Sequence, residues 1–164
     1  MSGECAMETN QPRVREAAPG DLGALCMLHR EFKEEYAALD QGYALREGAD
    51  RIYADYMEGQ IGREGVWLTV GTIDGVAVSF GFGHIRQASP IYAMRDVGYL
   101  SNFYVRSSFR GHGLAQEHFD HLLNWMRGHG VKALDLSCDR RVDALDYWFK
   151  KGFYERSLNM RLDL

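Results

Sequence analysis

The sequence predicts a single mixed α/β domain, and three observations lead to that fold class. The chain has 164 residues, a usual length for one domain, and its 46% hydrophobic and 26% charged residues are an ordinary globular balance. Apolar residues recur at helical spacing in the first third of the chain, whereas residues 66–105 carry the short apolar runs of strands. Helical and strand-like segments then alternate towards the C-terminus, as they do in α/β proteins.

The N-terminal part of the chain predicts one strand and two helices. Residues 13–17 alternate weakly and fit a short strand that a Pro-Gly pair ends. Residues 22–38 carry apolar side chains at helical spacing after Asp21, whose carboxylate suits the cap of a first turn. Residues 49–58 repeat this rhythm and predict a second helix, and residues 1–11 are expected to be a disordered tail.

The middle of the chain predicts three strands. Residues 66–85 have the pattern of two strands, and the Asp-Gly pair between them favours a tight antiparallel hairpin because glycine tolerates positive φ. Gly81 and Gly83 weaken the second strand and indicate a bulge or a close approach of two backbones. After a loop, residues 96–105 predict a further strand.

The C-terminal part predicts two helices with a strand between them. Residues 114–127 have an apolar face at helical spacing and end at glycines, which often terminate helices. Residues 131–138 predict a strand, residues 142–151 a helix, and residues 153–164 one or two final strands. The predicted order is therefore β-α-α-β-β-β-α-β-α-β, with a possible last strand.

Composition argues against several classes of protein. The formal net charge is −4 and the pI about 5.8, which does not suit non-specific binding to nucleic acid. The three cysteines, Cys5, Cys26 and Cys138, have neither the count nor the spacing of a disulfide framework or zinc site, so we expect a cytoplasmic protein. The sequence has no signal-peptide pattern and no apolar run of about 18 residues, so no membrane association is expected.

The segment FRGHGLA, Phe109–Ala115, predicts an anion site between a strand and a helix. The first amides of a helix lack intrahelical partners, and the helix dipole favours negative charge beside them. Two glycines allow close approach to the backbone, and Arg110 can add a charged donor. A Walker A loop is excluded because Leu114 follows the second glycine, and a dinucleotide fingerprint is excluded because Gln116 occupies the third glycine position.

Two motifs in their structural context resemble the GCN5-related N-acetyltransferase (GNAT) family. Residues 110–115, RGHGLA, fit the family's pyrophosphate loop, Gln/Arg-x-x-Gly-x-Gly/Ala, and residues 144–153, ALDYWFKKGF, resemble its last conserved helix. The separation of the motifs and the order of elements also match. The resemblance implies one GNAT-like domain over residues 12–164, with a mixed, mostly antiparallel sheet, about four flanking helices and a splayed strand pair that forms the acyl-CoA cleft.

The resemblance also implies an activity and a set of ligand-binding residues. The family moves an acetyl group from acetyl-CoA to a primary amine by direct attack in a ternary complex. The acceptor stays open between a small-molecule amine and a protein amine, and a homodimer is possible as in many relatives. The implied acetyl-CoA-binding residues are Phe103, Tyr104, Val105, Arg110, Gly111, His112, Gly113, Leu114, Ala115, Arg141 and Trp148.

The chain departs from the family pattern at the catalytic positions. Trp148 occupies the place of the usual tyrosine acid, Ser101 and Asn102 stand where a glutamate base is common, and Arg141 replaces an asparagine. Tyr147 is expected to pack in the core. No catalytic residue is therefore assigned. A non-catalytic acyl-CoA-binding sensor or partner module is the alternative, and a phosphate-binding protein without preference for CoA is a weaker one.

Other candidate residues have ordinary structural interpretations. His118 and His121 could begin a metal site, but a solvated helix face is favoured and no metal is expected. His84 is interpreted as a satisfied polar residue with a general base as the alternative, and Cys138 as a buried small side chain rather than an acyl nucleophile. The acidic and aromatic residues 30–43 favour a solvent-facing helix over a binding surface for a cationic amine.

Overall fold

A computed structural model describes residues 13–162 of the protein. The predicted disordered tail over residues 1–11 lies outside the described residues. No helix within the described range is long and apolar enough to cross a bilayer. The α-helices and strands of this range are β1 (Arg13–Glu16), α1 (Leu22–Ala37), α2 (Ala49–Glu58), β2 (Val66–Ile73), β3 (Val76–Gln87), β4 (Asp96–Val105), α3 (Leu114–Gly128), β5 (Leu134–Leu136) and α4 (Ala144–Lys150).

The strands form one mixed sheet in the order β1-β2-β3-β4-β5. The first four strands are antiparallel to their neighbours, and β5 is parallel to β4. Asp74 and Gly75 join β2 to β3 with φ of 50° and 75°, the positive values of the predicted hairpin turn. The prediction of a mixed, mostly antiparallel sheet flanked by four helices is thus confirmed.

Helices cover both faces of the sheet because side chains alternate along each strand. Phe80 and Phe82 of β3 pack against Leu25 and Leu28 of α1 on the face that also holds α2, here called the α1/α2 face. Trp67 of β2 packs on the opposite face with core residues of α3 and α4, here called the α3/α4 face. Two apolar cores therefore position the sheet between two pairs of helices.

The pairing between β4 and β5 is short, and the two strands then separate. Gly98, Tyr99 and Leu100 of β4 pair with residues 134–136 of β5, after which β4 continues to Val105. β5 is shorter than the predicted strand over residues 131–138. Within the described residues, positions 102–105 of β4 therefore pair with β3 along one edge and with no strand along the other. The splayed strand pair that the family resemblance implies is present.

Some predicted boundaries were wrong. β3 continues to Gln87, because Arg86 and Gln87, the first two residues of the segment predicted as a loop, still pair with β4. Residues 153–162 form no strand, contrary to the prediction. Phe153 packs into the core of the α3/α4 face, but Leu158, Met160 and Leu162 are 66%, 88% and 82% exposed. Alternation of apolar residues is not sufficient for a strand, since a strand also needs a partner edge.

His118 is buried, which corrects the prediction that it lies on a solvated helix face. Its Nδ1 lies 2.9 Å from Thr69 Oγ1 and its Nε2 lies 2.9 Å from Ser79 Oγ, so both ring nitrogens have partners on the sheet. Burial lowers the pKa of His118 to about 3, with His121 adding to the effect. His121 is also held, because its Nδ1 accepts a hydrogen bond of 3.0 Å from the Trp67 indole. Polar contacts thus fix α3 on the sheet.

Candidate active site

A cleft of about 740 Å³ opens where β4 and β5 separate. It is bounded by the free edge of β4, the C-terminal half of α1, the loop before α3, and α4. Its lining includes backbone of the glycine loop at one end and Leu100 and Leu136, the last pair of β4 and β5, at the other. The arrangement is an elongated channel with a helix N-terminus at its mouth.

The two glycines of the loop have backbone conformations that other residues adopt at a cost. Gly111 and Gly113 have φ of 84° and 87°, in the left-handed region. A Cβ at either position would have no neighbour within 4 Å, so backbone conformation rather than crowding within the protein requires glycine. Gly113 caps the N-terminus of α3, whose first amides point out of the helix without intrahelical partners. The loop can therefore hold an anion through backbone N–H groups.

Arg110 joins the glycine loop to α1 and β4. Its Nε donates to Val105 O at 2.9 Å, and its Nη2 donates to Glu35 at 2.8 Å. The other oxygen of Glu35 accepts from the Tyr104 hydroxyl at 2.9 Å. Burial, followed by the hydrogen bond to Glu35, raises the pKa of Tyr104 well above that of a free phenol. The positive charge of Arg110 is therefore partly balanced by the carboxylate of Glu35, which also lines the cleft.

Arg141 bridges the rim of the cleft. Its guanidinium donates to Asp139 at 2.7 Å, to Asp40 at 3.2 Å and to Leu39 O at 3.0 Å. The hydrogen bond from Arg141 is the largest cause that lowers the pKa of Asp139. The Tyr43 hydroxyl also contacts Asp139, at 3.3 Å. Arg141 therefore links the segment after α1 to the segment after β5.

Trp148 and Tyr147 form the α4 side of the cleft. Trp148 is 6% exposed, and its ring packs edge-on against Phe103 with centroids 5.1 Å apart. Tyr147 packs beside it but also lines the cleft, so the prediction that it lies simply in the core was incomplete. The Tyr147 hydroxyl donates to Ala115 O at 3.1 Å, and burial raises its pKa to about 12. The Tyr147 hydroxyl therefore stays protonated at neutral pH, and the Trp148 indole has no titratable group.

His112 differs from the other residues predicted to bind the cofactor. It does not line the cleft; its side chain is exposed, with Nδ1 3.2 Å from Arg110 O. All the other predicted residues line the cleft: Phe103, Tyr104, Val105, Arg110, Gly111, Gly113, Leu114, Ala115, Arg141 and Trp148.

A bulge in β4 brings together two polar residues that the sequence did not connect. Phe82 pairs with Asn102 and Gly83 with Leu100, so Ser101 is an extra residue. Ser101 lines the cleft, and its hydroxyl lies 3.3 Å from Nδ1 of His84. Gly83 was the signal available in the sequence: a Cβ there would lie 2.9 Å from Tyr99 O.

Two other candidates reach the cleft without forming a reactive group. Cys138 lines it, but burial and the nearby Asp139 raise the pKa of the thiol, which disfavours a nucleophilic thiolate. Glu35 and Tyr36 also line it, so α1 is not simply the solvent-facing helix that was predicted. Within residues 13–162, no three histidine, cysteine, aspartate or glutamate side chains converge as metal ligands.

Known structures share this architecture. The BH1408 protein of Bacillus halodurans, as a tetramutant, is 19% identical with a TM-score of 0.81, over 93% of this chain and 99% of that one. A predicted acetyltransferase with acetyl-CoA from Clostridium acetobutylicum is 17% identical, with a TM-score of 0.75 over 93% and 96%. The ribosomal-protein-alanine N-acetyltransferase of Brucella melitensis biovar Abortus 2308 is 16% identical, with a TM-score of 0.68 over 93% and 99%.

Sequence comparison identifies the family. At identities this low, the similar structures show the fold alone, and no curated protein sequence matches the chain significantly. The profile of the Acetyltransferase (GNAT) family matches residues 26–156, which is more than half of the 164 residues. The chain therefore belongs to the GNAT family of acetyltransferases.

Proposed function

We propose that the protein transfers an acetyl group from acetyl-CoA to a primary amine by direct attack in a ternary complex. The observation that carries the proposal is that one cleft contains both the β4 edge that has separated from β5 and the left-handed glycine loop. Residues 101–105 offer a strand edge to an extended ligand, and the N-terminus of α3 offers amides to a diphosphate. Acetyl-CoA combines an extended amide-containing arm with a diphosphate.

In this proposal the backbone holds the donor and side chains adjust the charge. Phe103, Tyr104 and Val105 bind the pantetheine arm through main-chain groups, and residues 111–115 bind the diphosphate. Arg110 and Arg141 line the same cleft and bring two positive charges to it. The ion pair of Arg110 with Glu35 is about half exposed and therefore weak, so Arg110 can turn towards phosphate. Arg141 is held more firmly, because the side chain of its partner Asp139 is only 10% exposed.

The chemistry requires little beyond orientation. Acetyl-CoA supplies an activated thioester whose thiolate is a fair leaving group. A backbone amide of β4 would polarise the thioester carbonyl, where negative charge develops during attack. Positioning both reactants can lower the barrier by about 7–11 kcal/mol. The absence of a phenol at position 148 is therefore compatible with catalysis.

The acceptor would enter from the side of α1. Glu35 and Tyr36 give this side of the cleft a carboxylate and an aromatic ring, which suit a cationic amine. Both a small-molecule amine and a protein amine fit, and the similar Brucella protein is named for N-acetylation of a ribosomal-protein alanine. A cytoplasmic location and a possible homodimer belong to the same proposal, with no role in binding nucleic acid or membranes.

A non-catalytic acyl-CoA-binding module is the second candidate. Trp148 favours it, because an indole in the position of the family's tyrosine cannot usefully donate a proton. The two functions differ in turnover. A module binds acetyl-CoA but releases no CoA thiol with any amine, whereas the transferase releases thiol in proportion to acetylated product.

A thermal melt with and without acetyl-CoA tests the proposal first. A ligand at about 100 times its Kd stabilises the folded state by about 2.7 kcal/mol. For a chain of this size that should raise Tm by roughly 5–11 °C, at about 2–4 °C per kcal/mol. A shift with acetyl-CoA and none with ATP supports the donor site. The absence of a shift in protein free of bound CoA would overturn it.

A further inference from the structure

His84 and Ser101 meet on the α1/α2 face of the sheet. His84 follows Phe80 and Phe82 along β3 at alternating positions, so its side chain points to the same face as theirs. Its ring centroid lies 6.0 Å from that of Phe82 and 5.7 Å from that of Tyr99. The contact of 3.3 Å between Nδ1 and Ser101 Oγ shows that the bulge turns the serine towards this face.

The contact lies at the point where β4 and β5 separate. Leu100 and Leu136 are the last paired residues of the two strands, and Ser101 is the next residue of β4. Ser101 lines the cleft, whereas His84 lies behind it and does not. Ser101 therefore connects the inner end of the cleft to the imidazole behind it, which its hydroxyl contacts. Trp148 belongs to the opposite, α3/α4 face.

We propose that Ser101 and His84 form a proton relay that deprotonates the attacking amine, an inference that rests on the proposed acetyl transfer. As the amine nitrogen bonds to the acetyl carbonyl carbon, it becomes positively charged and readily loses a proton. Ser101 Oγ accepts that proton while its own hydroxyl proton passes to Nδ1 of neutral His84. The imidazolium then releases a proton from Nε2 to solvent. The C–S bond breaks, and the sulfur leaves with the electron pair and takes a proton from water.

The surroundings of His84 keep it able to accept a proton. Burial is the main cause that lowers the pKa of His84, and the positive charges of Arg86 and Arg63 lower it further. The Arg86 guanidinium lies over the Tyr99 ring at 3.7 Å and is 3.7 Å from Asp135. The imidazole is therefore neutral at pH 7, and activity should fall on the acid side below about pH 6.5, the value for free histidine.

Two variants, His84→Gln and Ser101→Ala, test the relay, and His129→Gln is the matched control. His129 is exposed at the end of α3, where its Nδ1 lies 2.8 Å from Trp125 O. CoA thiol release is followed from pH 5 to 9 with spermidine, with neomycin and with a short peptide that begins with alanine. Acetyl-CoA affinity of each variant is measured separately, because a structural role would change it.

The relay predicts a loss of about 100-fold in kcat/KM for each variant, the usual size of a general-base effect. It also predicts that the acid limb of the pH profile disappears in His84→Gln, that acetyl-CoA affinity is unchanged, and that the double variant is no slower than either single one. The control should behave as wild type in every respect.

Three results would contradict the relay, and they are distinguishable. His84→Gln or Ser101→Ala with wild-type kcat/KM and an unchanged acid limb would overturn it while leaving the transferase intact. A parallel loss of acetyl-CoA affinity would mean that the pair supports the cleft rather than moving a proton. If wild-type protein releases no thiol with any of the three amines, the proposed acetyl transfer itself fails. Ser101→Ala removes little volume and keeps the test open if His84→Gln does not fold.

Discussion

The two walls of the cleft differ in chemistry. The α3/α4 wall is mostly apolar, with one phenol whose hydroxyl is already bonded to the backbone; it includes Phe103, Ala115, Tyr147 and Trp148, together with the polar side chains of Gln116 and Asp143. The α1/α2 wall combines a carboxylate with aromatic rings and phenols, and it consists of Phe32, Glu35, Tyr36 and Tyr104. Under the proposed function, the first wall would fix the position of a ligand, whereas the second would adjust its charge.

The largest expected effect comes from breaking the α3/α4 wall with Trp148→Ala. The indole is almost fully buried against Phe103, Phe119 and Phe153, so its removal leaves a cavity. Truncation of a buried tryptophan typically lowers the free energy of unfolding by about 3–5 kcal/mol. Urea unfolding of both proteins measures the loss. Trp148→Phe keeps most of the apolar contact and should lose less than half as much; equal losses would argue that packing is not the role of this side chain.

The next largest effect is on acetyl-CoA affinity, in a variant that changes the backbone at the start of α3 and not a side chain of either wall. Gly113→Val forces a β-branched residue into a left-handed conformation and should lower acetyl-CoA affinity at least about 100-fold, or about 2.7 kcal/mol, because the first amides of α3 lose their orientation. Isothermal titration measures the affinity.

Gly130→Val is the matched control for this change. Gly130 also has a positive φ, 71°, and likewise leaves open space for a Cβ, but it follows the other end of α3. Its variant should lose a comparable amount of stability and keep acetyl-CoA affinity. If both variants, or neither, lose affinity, the loop has no special role.

Local patterns explain why much of the α3/α4 side could be predicted from the sequence. The glycine loop, the helix after it and the motif around Trp148 are each continuous in the chain, so residue spacing is sufficient to place them. The separation of β4 from β5 followed from the family resemblance to the same local motifs. The structure added mainly that Gly111 and Gly113 are required by their left-handed backbone conformation, since a Cβ at either position would meet no other part of the protein.

Contacts between distant residues explain most of what could not be predicted. Helical spacing places His118 on a face of α3, but it cannot show that Thr69 and Ser79 stand opposite on the sheet. The pairing of Arg110 with Glu35 likewise joins residues 75 positions apart. Such partners depend on which strand and which helix meet, and no periodicity within one element contains that information.

A third prediction concerns the attachment of α3, and its effect depends on pH. His118 has a pKa of about 3 in the folded protein and about 6.5 when unfolded, so below pH 6.5 protons bind the unfolded chain preferentially. Its contribution to stability is complete above that pH and is lost as pH falls towards 3, by about 1.4 kcal/mol per unit.

Urea unfolding at pH 7, 6 and 5 gives the free energy of unfolding as a function of pH, and its slope should be shallower for His118→Gln than for wild type. His129→Gln should keep the wild-type slope, and an unchanged slope in His118→Gln would contradict the burial of a neutral imidazole.

The smallest expected effect is on acetyl-CoA affinity in Glu35→Gln. This variant tests the α1/α2 wall by itself, because it leaves the α3/α4 wall unchanged. The change breaks the 2.8 Å ion pair with Arg110 but keeps an acceptor for the Tyr104 hydroxyl. Both partners are about half exposed, so the pair is worth at most about 1 kcal/mol and stability should hardly change. Arg110 is then free to turn towards the diphosphate, and acetyl-CoA should bind about two- to five-fold more tightly at low salt. Glu31→Gln is the control for binding, since it breaks an ion pair between α1 and Arg106, which does not line the cleft; this pair has two hydrogen bonds and is less exposed, so its loss should cost more stability. Tighter binding in Glu35→Gln alone would show that the α1/α2 wall restrains the loop arginine, whereas weaker binding would mean that the pair holds Arg110 in the position that the ligand needs.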